Sequence, residues 1–339
     1  MFCTHCGMEI GDGDNYCQNC GHYLPSDDLN NPMKTYVNYV EINNPSIKNI
    51  MEAAQIAETN KNYTKAIEIY KKGLKIESNN EFLLNNIAIN YARIGNIKEA
   101  INYSYKVLSI NKFNEDALFN ISKYLYDIDE IDEAYKYCNR LIRRYGENEI
   151  VLGKKADILF KKNRKYVALK YYKKVLEYNP NNVYALYNIA SILKKQKKYR
   201  ECLKYLNKSI KLDKNNFMPL NMKGIVLSET GHTEEGLKYF KKALKIKNND
   251  LIVLKNMATA YYKLEKDEEA LKIYNKMLKL NPNHIETLFD KVWMLLVLNK
   301  FEEALKTCDK ILEIDKNNTD AVKFKNMAME LIKKDIHIE

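Results

Sequence analysis

The sequence predicts an all-α solenoid that follows a small cysteine-rich module. A pattern of 34 residues recurs without insertion or deletion from about residue 47 to residue 318. The chain contains 6 prolines and 11 glycines in 339 residues, which favours long helices over strands and turns. Four of its seven cysteines lie within the first twenty residues.

Two Cys-x2-Cys pairs define the N-terminal module. Cys3, Cys6, Cys17 and Cys20 can bring four thiolates onto one ion, which is the tetrahedral set typical of structural zinc. The module, residues 1–24, resembles the short N-terminal zinc-ribbon family. The resemblance implies one structural Zn2+ whose binding stabilises the fold. A catalytic zinc is disfavoured, because the four thiolates leave no coordination position open.

Other interpretations of this module stay open. The cysteines could form a redox dithiol pair, and His5 or His22 could replace one thiolate. Phosphate binding by the module is disfavoured, because residues 1–24 contain no Lys or Arg. The remaining cysteines are interpreted as core residues of the repeats: Cys138, Cys202 and Cys308.

Residues 25–46 connect the module to the repeats. Pro25, Pro32 and Pro45 lie in an Asn-rich, acidic run that predicts a flexible linker. One Lys and six acidic residues give residues 1–46 a formal charge of −5. Because the whole chain has a formal charge of +11, residues 47–339 carry +16. One hypothesis is that this acidic part folds back onto the basic repeats until a partner displaces it.

Each 34-residue repeat contains two amphipathic helical segments. Positions 4, 7, 8 and 11 form an apolar stripe on the first, and positions 20, 24 and 27 form one on the second. Small residues at positions 8 and 20, such as Ala88 and Ala100, let the two helices approach closely. Asn-rich pairs such as Asn181-Asn182 separate the repeats. The predicted repeats are 47–80, 81–114, 115–148, 149–182, 183–216, 217–250, 251–284 and 285–318.

This pattern resembles the tetratricopeptide repeat (TPR) family over about four-fifths of the chain. The resemblance implies a right-handed superhelix (solenoid) of eight helix-turn-helix repeats. Residues 319–339 would add a C-terminal capping helix and tail, with Val322, Phe324 and Met329 as its apolar residues. The family also has a concave groove, lined by repeat positions 2, 5, 6, 9, 12 and 13, that holds a segment of another protein.

Four asparagines and four aromatic residues are candidates for partner binding in that groove. An Asn amide both donates and accepts, so it can hold the backbone of an extended peptide. The alternative is that these asparagines follow the repeat consensus of an Asn-rich protein. The aromatic residues around Trp293 form either a binding surface or a patch covered by the capping helix. The candidates are Asn86, Asn120, Asn188, Asn256, Phe119, Tyr187, Phe289 and Trp293.

The sequence therefore predicts a non-enzymatic scaffold or adaptor that binds an extended or helical segment of a partner protein. It contains no Gly-rich phosphate loop and no pattern of a catalytic triad. No apolar run could span a membrane and no targeting segment is visible, which favours the cytoplasm. Lysines on second helices, such as Lys241-Lys242, are interpreted as a solvated outer face. The alternatives are nucleic-acid binding by the basic helical body, and an accessory subunit that positions a partner enzyme.

Overall fold

The computed structural model of the chain describes residues 46–336, with side chains up to residue 333. The zinc-ribbon prediction, with Cys3, Cys6, Cys17 and Cys20, lies outside these residues. The linker up to residue 45 and the fold-back hypothesis also lie outside them. Between residues 46 and 336 all regular structure is helical, in 17 helices without a strand. None of these helices is both long and apolar enough to cross a membrane.

First and second helices alternate along the chain, and each series restarts every 34 residues. The first helices are α1 (Ile47–Thr59), α3 (Glu81–Arg93), α5 (Glu115–Asp127), α7 (Glu149–Lys161), α9 (Val183–Lys195), α11 (Phe217–Glu229), α13 (Leu251–Lys263) and α15 (Ile285–Val297). The second helices are α2 (Tyr63–Ile76), α4 (Ile97–Ile110), α6 (Ile131–Tyr145), α8 (Lys165–Tyr178), α10 (Tyr199–Leu212), α12 (Thr233–Ile246), α14 (Asp267–Leu280) and α16 (Phe301–Ile314). The last helix is α17 (Thr319–Ile336).

Asparagine starts most of the first helices. Asn80 Oδ1 accepts a hydrogen bond from the backbone N–H of Leu83 at 3.0 Å. Asn114, Asn148 and Asn182 cap α5, α7 and α9 in the same way. An N-cap of this kind satisfies one of the four backbone donors that a helix start leaves unpaired. The Asn-rich pairs between repeats therefore end one repeat and begin the next helix.

The chain divides into two compact units, an N-terminal unit up to Lys174 and a C-terminal unit from Val175. Within each, consecutive helices pack on one another, as in a solenoid. Positions 8 and 20, predicted as close-approach positions, are fully buried in the N-terminal unit. These residues are Ala54, Ala66, Ala88, Ala100, Ser122, Ala134, Ala156 and Ala168.

The helix pair α11 and α12 of the C-terminal unit makes a close crossing at two glycines. A Cβ on Gly224 would lie 2.6 Å from Phe240 Cε1. A Cβ on Gly236 would lie 2.7 Å from the carbonyl oxygen of Gly224, which is backbone and cannot rotate away. Glycine at positions 8 and 20 is therefore required by the separation of these two helices.

Helix α17 covers the last repeat, as predicted. Ala321 and Ala328 are buried, and the Phe324 ring packs on Phe289 with 5.9 Å between ring centroids. Val322 and Met329, which the sequence analysis grouped with Phe324, are instead exposed. Residues 321, 324 and 328 follow helical spacing along one face, whereas residues 322 and 329 lie on another.

The three cysteines of the repeats are buried without a disulfide bond. Burial raises the pKa of Cys138 to about 12, and the pKa values of Cys202 and Cys308 to about 11. These thiols stay protonated at neutral pH and are poor nucleophiles. The interpretation of all three as core residues is confirmed.

Candidate functional site

Three apolar side chains form a row on the first helices of the C-terminal unit, and we call it the apolar row. It consists of Tyr184, Met218 and Ile252, at position 2 of three consecutive repeats. Their exposed fractions are 56%, 43% and 68%. The three residues lie on adjacent first helices, because α9 contacts α11 and α11 contacts α13. Exposed apolar side chains that recur in this way are typical of an interaction site.

Asparagines lie one helical turn further along the same face. Asn188 and Asn256 follow Tyr184 and Ile252 by four residues, which places each pair on one side of its helix. The Asn256 amide donates to Asn221 Oδ1 on the neighbouring first helix at 3.0 Å. Asn188 Nδ2 is buried and has no hydrogen-bond partner among the described residues. An amide donor without an acceptor is costly, but this atom is buried and is not itself accessible to a ligand.

The predicted aromatic residues of the C-terminal unit differ in how open they are. Trp293 is 45% exposed on α15. Phe289 is half-buried under Phe324, and Leu296, on the same helix, is buried. Tyr187 on α9 is half-buried, and its burial raises the pKa of its phenol. Helix α17 thus covers part of the predicted patch and leaves Trp293 open.

The charged groups near Trp293 pair with one another. Lys255 Nζ lies 3.2 Å from a carboxylate oxygen of Glu286 and 3.9 Å from one of Asp290. Burial raises the pKa of Asp290 above its ordinary value, although the ammonium group of Lys255 opposes this shift. The single cation is therefore shared by two carboxylates, which does not suit capture of a partner's C-terminal carboxylate.

The candidates in the N-terminal unit are more engaged within the protein. The Asn86 amide donates to the carbonyl oxygen of Phe82 on its own helix at 2.9 Å. Phe119 is half-buried against an apolar cluster of α5 and α6, and Asn120 beside it is half-buried. The exposed apolar side chains at position 2 are interrupted here by Asp116. The longer row therefore lies in the C-terminal unit.

Met218 and Ile252 are exposed in the structure but are not among the candidates predicted from the sequence. The signal was present, since position 2 is large and apolar in five repeats. Those five residues are Phe82, Ile150, Tyr184, Met218 and Ile252, all exposed. The hydrogen-bonding side chain of Asn at position 6 indicates a binding role, whereas an apolar residue at position 2 resembles a core residue in the sequence.

A polar cluster, which we call the Glu58 cluster, joins the first two repeats. Asn90 Nδ2 donates to Glu58 Oε1 at 2.6 Å, and the Tyr70 hydroxyl donates to the same oxygen at 3.2 Å. Arg93 Nη1 lies 3.1 Å from Glu58 Oε2. Burial and the neighbouring carboxylate raise the pKa of Tyr70. Because the four groups satisfy one another, the cluster holds the repeats together rather than offering a free site.

Several segments of the chain match models of known protein families. Residues 48–80, 116–148 and 252–284 each match a model of the tetratricopeptide repeat. The chain is a TPR protein. Residues 2–24 of this TPR protein match the zinc-ribbon domain, so both family resemblances are confirmed. Residues 154–261 also match the model described as the TT21 fifth ARM repeats domain, another helical-repeat family.

Solved structures share the fold of this TPR protein at low sequence identity. The human IFIT1 dimer with m7Gppp-AAAA is 16% identical, with a TM-score of 0.61 over 90% of this chain and 78% of that one. A TPR protein from Parabacteroides merdae is 16% identical, with a TM-score of 0.56 over 74% and 98%. The APC/C hetero-tetramer Cut9-Hcn1 is 15% identical, with a TM-score of 0.56 over 88% and 59%. No curated protein matches the sequence significantly.

Proposed function

We propose that this TPR protein is a scaffold that binds an extended, apolar segment of a partner protein along the apolar row. The exposure of Tyr184, Met218 and Ile252 at one position of three consecutive repeats carries the proposal. The proposal gives the chain a binding role and no catalytic one. TPR repeats generally serve protein interaction, and the similar Cut9-Hcn1 structure is itself a hetero-tetramer.

An extended segment fits this surface for two reasons. Side chains of an extended peptide project alternately, so every second one can meet an apolar side chain of the row while the backbone stays accessible. The half-buried side chains of Asn188 and Asn256 lie one turn away and can then contact that backbone. The partner segment is expected to be apolar rather than acidic, because Lys255 is already neutralised by Glu286 and Asp290.

We further propose that Cys3, Cys6, Cys17 and Cys20 hold one structural Zn2+. The match of residues 2–24 to the zinc-ribbon domain supports this proposal. The donor set fits, because four thiolates complete the tetrahedral coordination of zinc. Zinc stabilises the module when bound, and the four cysteines supply the ligands. A cytoplasmic location goes with this proposal, since reduced thiols persist there.

Affinity capture with three forms of the full chain tests the binding proposal. The groove variant carries Tyr184→Ser and Ile252→Ser. The control variant carries Tyr166→Ser and Ile76→Ser. These changes remove one Tyr and one Ile side chain, as in the groove variant, but from second helices, where Tyr166 is 77% and Ile76 is 54% exposed. We expect one partner to be recovered with the unaltered chain and the control variant, and to be lost with the groove variant. Equal recovery with both variants would show that the apolar row is not the binding surface.

A further inference from the structure

A pocket of about 570 Å³ lies between the second helices α10 and α12, with α11 forming part of its wall. None of its lining residues occupies repeat position 2, 5, 6, 9, 12 or 13, so the pocket is separate from the apolar row. Five of the lining residues are lysines: Lys211, Lys214, Lys223, Lys242 and Lys245.

The five lysines face no opposite charge. No Asp or Glu lines the pocket, and none of the five is ion-paired in the part of the chain that the structure describes. Several lysines elsewhere form ion pairs, as Lys161 does with Asp129 and Lys300 does with Glu268. Lys174, at the same repeat position as Lys242, lies 2.7 Å from Glu147. Five lysines without an ion-pair partner that line one cavity create a positive potential that attracts anions.

Part of the pocket is already organised. Lys223 Nζ donates to Asn207 Oδ1 at 2.7 Å and lies 4.2 Å from the centroid of the Tyr239 ring. Lys242 Nζ lies 5.1 Å from the same centroid. One aromatic ring therefore attracts the ammonium groups of two lysines, one on α11 and one on α12, through its π-electrons. These two lysine side chains are therefore partly ordered before a ligand binds, so less side-chain entropy is lost on binding.

The chemistry of the pocket selects a class of ligand. Lysine binds phosphate as a point charge, and a ligand with linked phosphate groups can contact several of the five lysines at once. The volume lies in the range of small-molecule sites. A longer nucleic acid would need a basic surface that continues beyond one pocket.

We propose that this pocket binds a compact anion with two or more linked phosphate groups, either a nucleoside polyphosphate or a short inorganic polyphosphate. The two sources share the phosphate chemistry that the lysines recognise. The site is independent of partner binding along the apolar row. Binding of the anion to the folded chain raises its melting temperature.

Isothermal titration calorimetry of the full chain tests the proposal, with inorganic tripolyphosphate and ATP as separate probes. The pocket variant carries Lys242→Gln and Lys245→Gln. The control variant carries Lys276→Gln and Lys279→Gln, the same positions of the next repeat, where both side chains are exposed. We expect one saturable site, weakened at least about tenfold in the pocket variant and little changed in the control, because two charge-assisted contacts are lost.

The outcomes separate the possibilities. Equal affinity for the two probes would identify the phosphate chain as the recognised group, and tighter binding of ATP would identify a nucleotide. Absence of saturable binding of either probe would overturn the proposal. Equal weakening in the pocket and control variants would also overturn it, since that result reports general positive charge. A third result would overturn the proposal as well. In that result the chain binds a single-stranded RNA equally well with and without the pocket substitutions, and it does not bind tripolyphosphate.

Discussion

Asn90 Nδ2 lies 2.6 Å from Glu58 Oε1, so a fully buried amide of the second repeat is held by a carboxylate of the first. The same carboxylate accepts from Tyr70 and pairs with Arg93. Other polar contacts between neighbouring repeats, such as Lys174–Glu147 and Lys300–Glu268, are single ion pairs. A buried network of directional bonds accepts one arrangement, so the Glu58 cluster fixes the packing of these two repeats.

Removal of the Glu58 carboxylate is expected to be costly. Glu58→Ala removes the shortest hydrogen bond of the Asn90 amide and the ion pair of Arg93, although Asn90 still donates to the carbonyl oxygen of Asn86. We expect the free energy of unfolding to fall by about 2–4 kcal/mol. Glu68→Ala is the control, because Glu68 is 60% exposed and lies 3.8 Å from Lys65 at the surface. Its loss should cost under about 1 kcal/mol. Urea denaturation measures both, and equal effects would show that the cluster contributes no specific stability.

The close crossing of α11 and α12 gives a second prediction, with opposite signs for two Gly→Ala changes. Gly236→Ala drives a methyl group against the backbone of Gly224 and should lower the free energy of unfolding by about 1–3 kcal/mol. Gly153→Ala, within α7, meets nothing within 4 Å and should raise it by about 0.5–1 kcal/mol through helix propensity. Thermal unfolding followed by circular dichroism measures both. A stabilising Gly236→Ala would contradict the crossing described here.

Much of this architecture could be predicted from the sequence. The 34-residue period predicts the pairs of helices, and the small residues at positions 8 and 20 predict where the two helices of a pair cross. The asparagines between repeats marked helix starts because their side chains cap them. Each of these signals is local or repeated, so it does not depend on how distant parts of the chain pack.

Exposure on the first helices could not be predicted in the same way. Phe289 and Trp293 lie one turn apart, yet Phe324 covers only Phe289. The packing of α17 on repeat eight decides which of its faces is buried. Spacing alone predicts Val322 and Met329 on the buried face, but both are exposed. Lys242 is exposed, in agreement with its interpretation as part of a solvated outer face. It also lines the pocket between α10 and α12, which its repeat position alone does not indicate.

Alkaline pH is expected to destabilise the fold through its buried tyrosines. Burial raises the pKa of Tyr124 and of Tyr274 to about 12, from an ordinary value of 10.0. The stabilisation from each neutral phenol is complete below pH 10.0 and is lost as the pH rises to about 12, because the unfolded chain ionises first. Each group should lower the free energy of unfolding by about 1.4 kcal/mol per pH unit in that window.

Tyr124→Phe tests the origin of that pH dependence. The variant keeps the ring in place and removes the titrating hydroxyl, so its melting temperature should fall less steeply with rising pH than that of the unaltered chain. Melting curves recorded across the window from pH 10.0 to about 12 measure the difference. Parallel curves for the two proteins would exclude a contribution from Tyr124.

The seven cysteines should fall into two chemical classes. A mercurial reagent is expected to consume four thiols and release one Zn2+, measured with a metal indicator, from the proposed site at Cys3, Cys6, Cys17 and Cys20. Cys138, Cys202 and Cys308 should react only in denaturant, because they are buried and protonated. Cys6→Ser should lose the metal, and Cys308→Ala should keep it. Release of no metal would refute the zinc proposal.

Site-specific photo-crosslinking tests the central claim, that a partner segment lies along the apolar row, most directly. The crosslinker p-benzoylphenylalanine replaces the side chain at position 184 or at position 166, both exposed tyrosines of this chain. With the partner recovered by affinity capture, we predict a covalent product from position 184 and none from position 166. Crosslinking from position 166 with none from position 184 would contradict the claim.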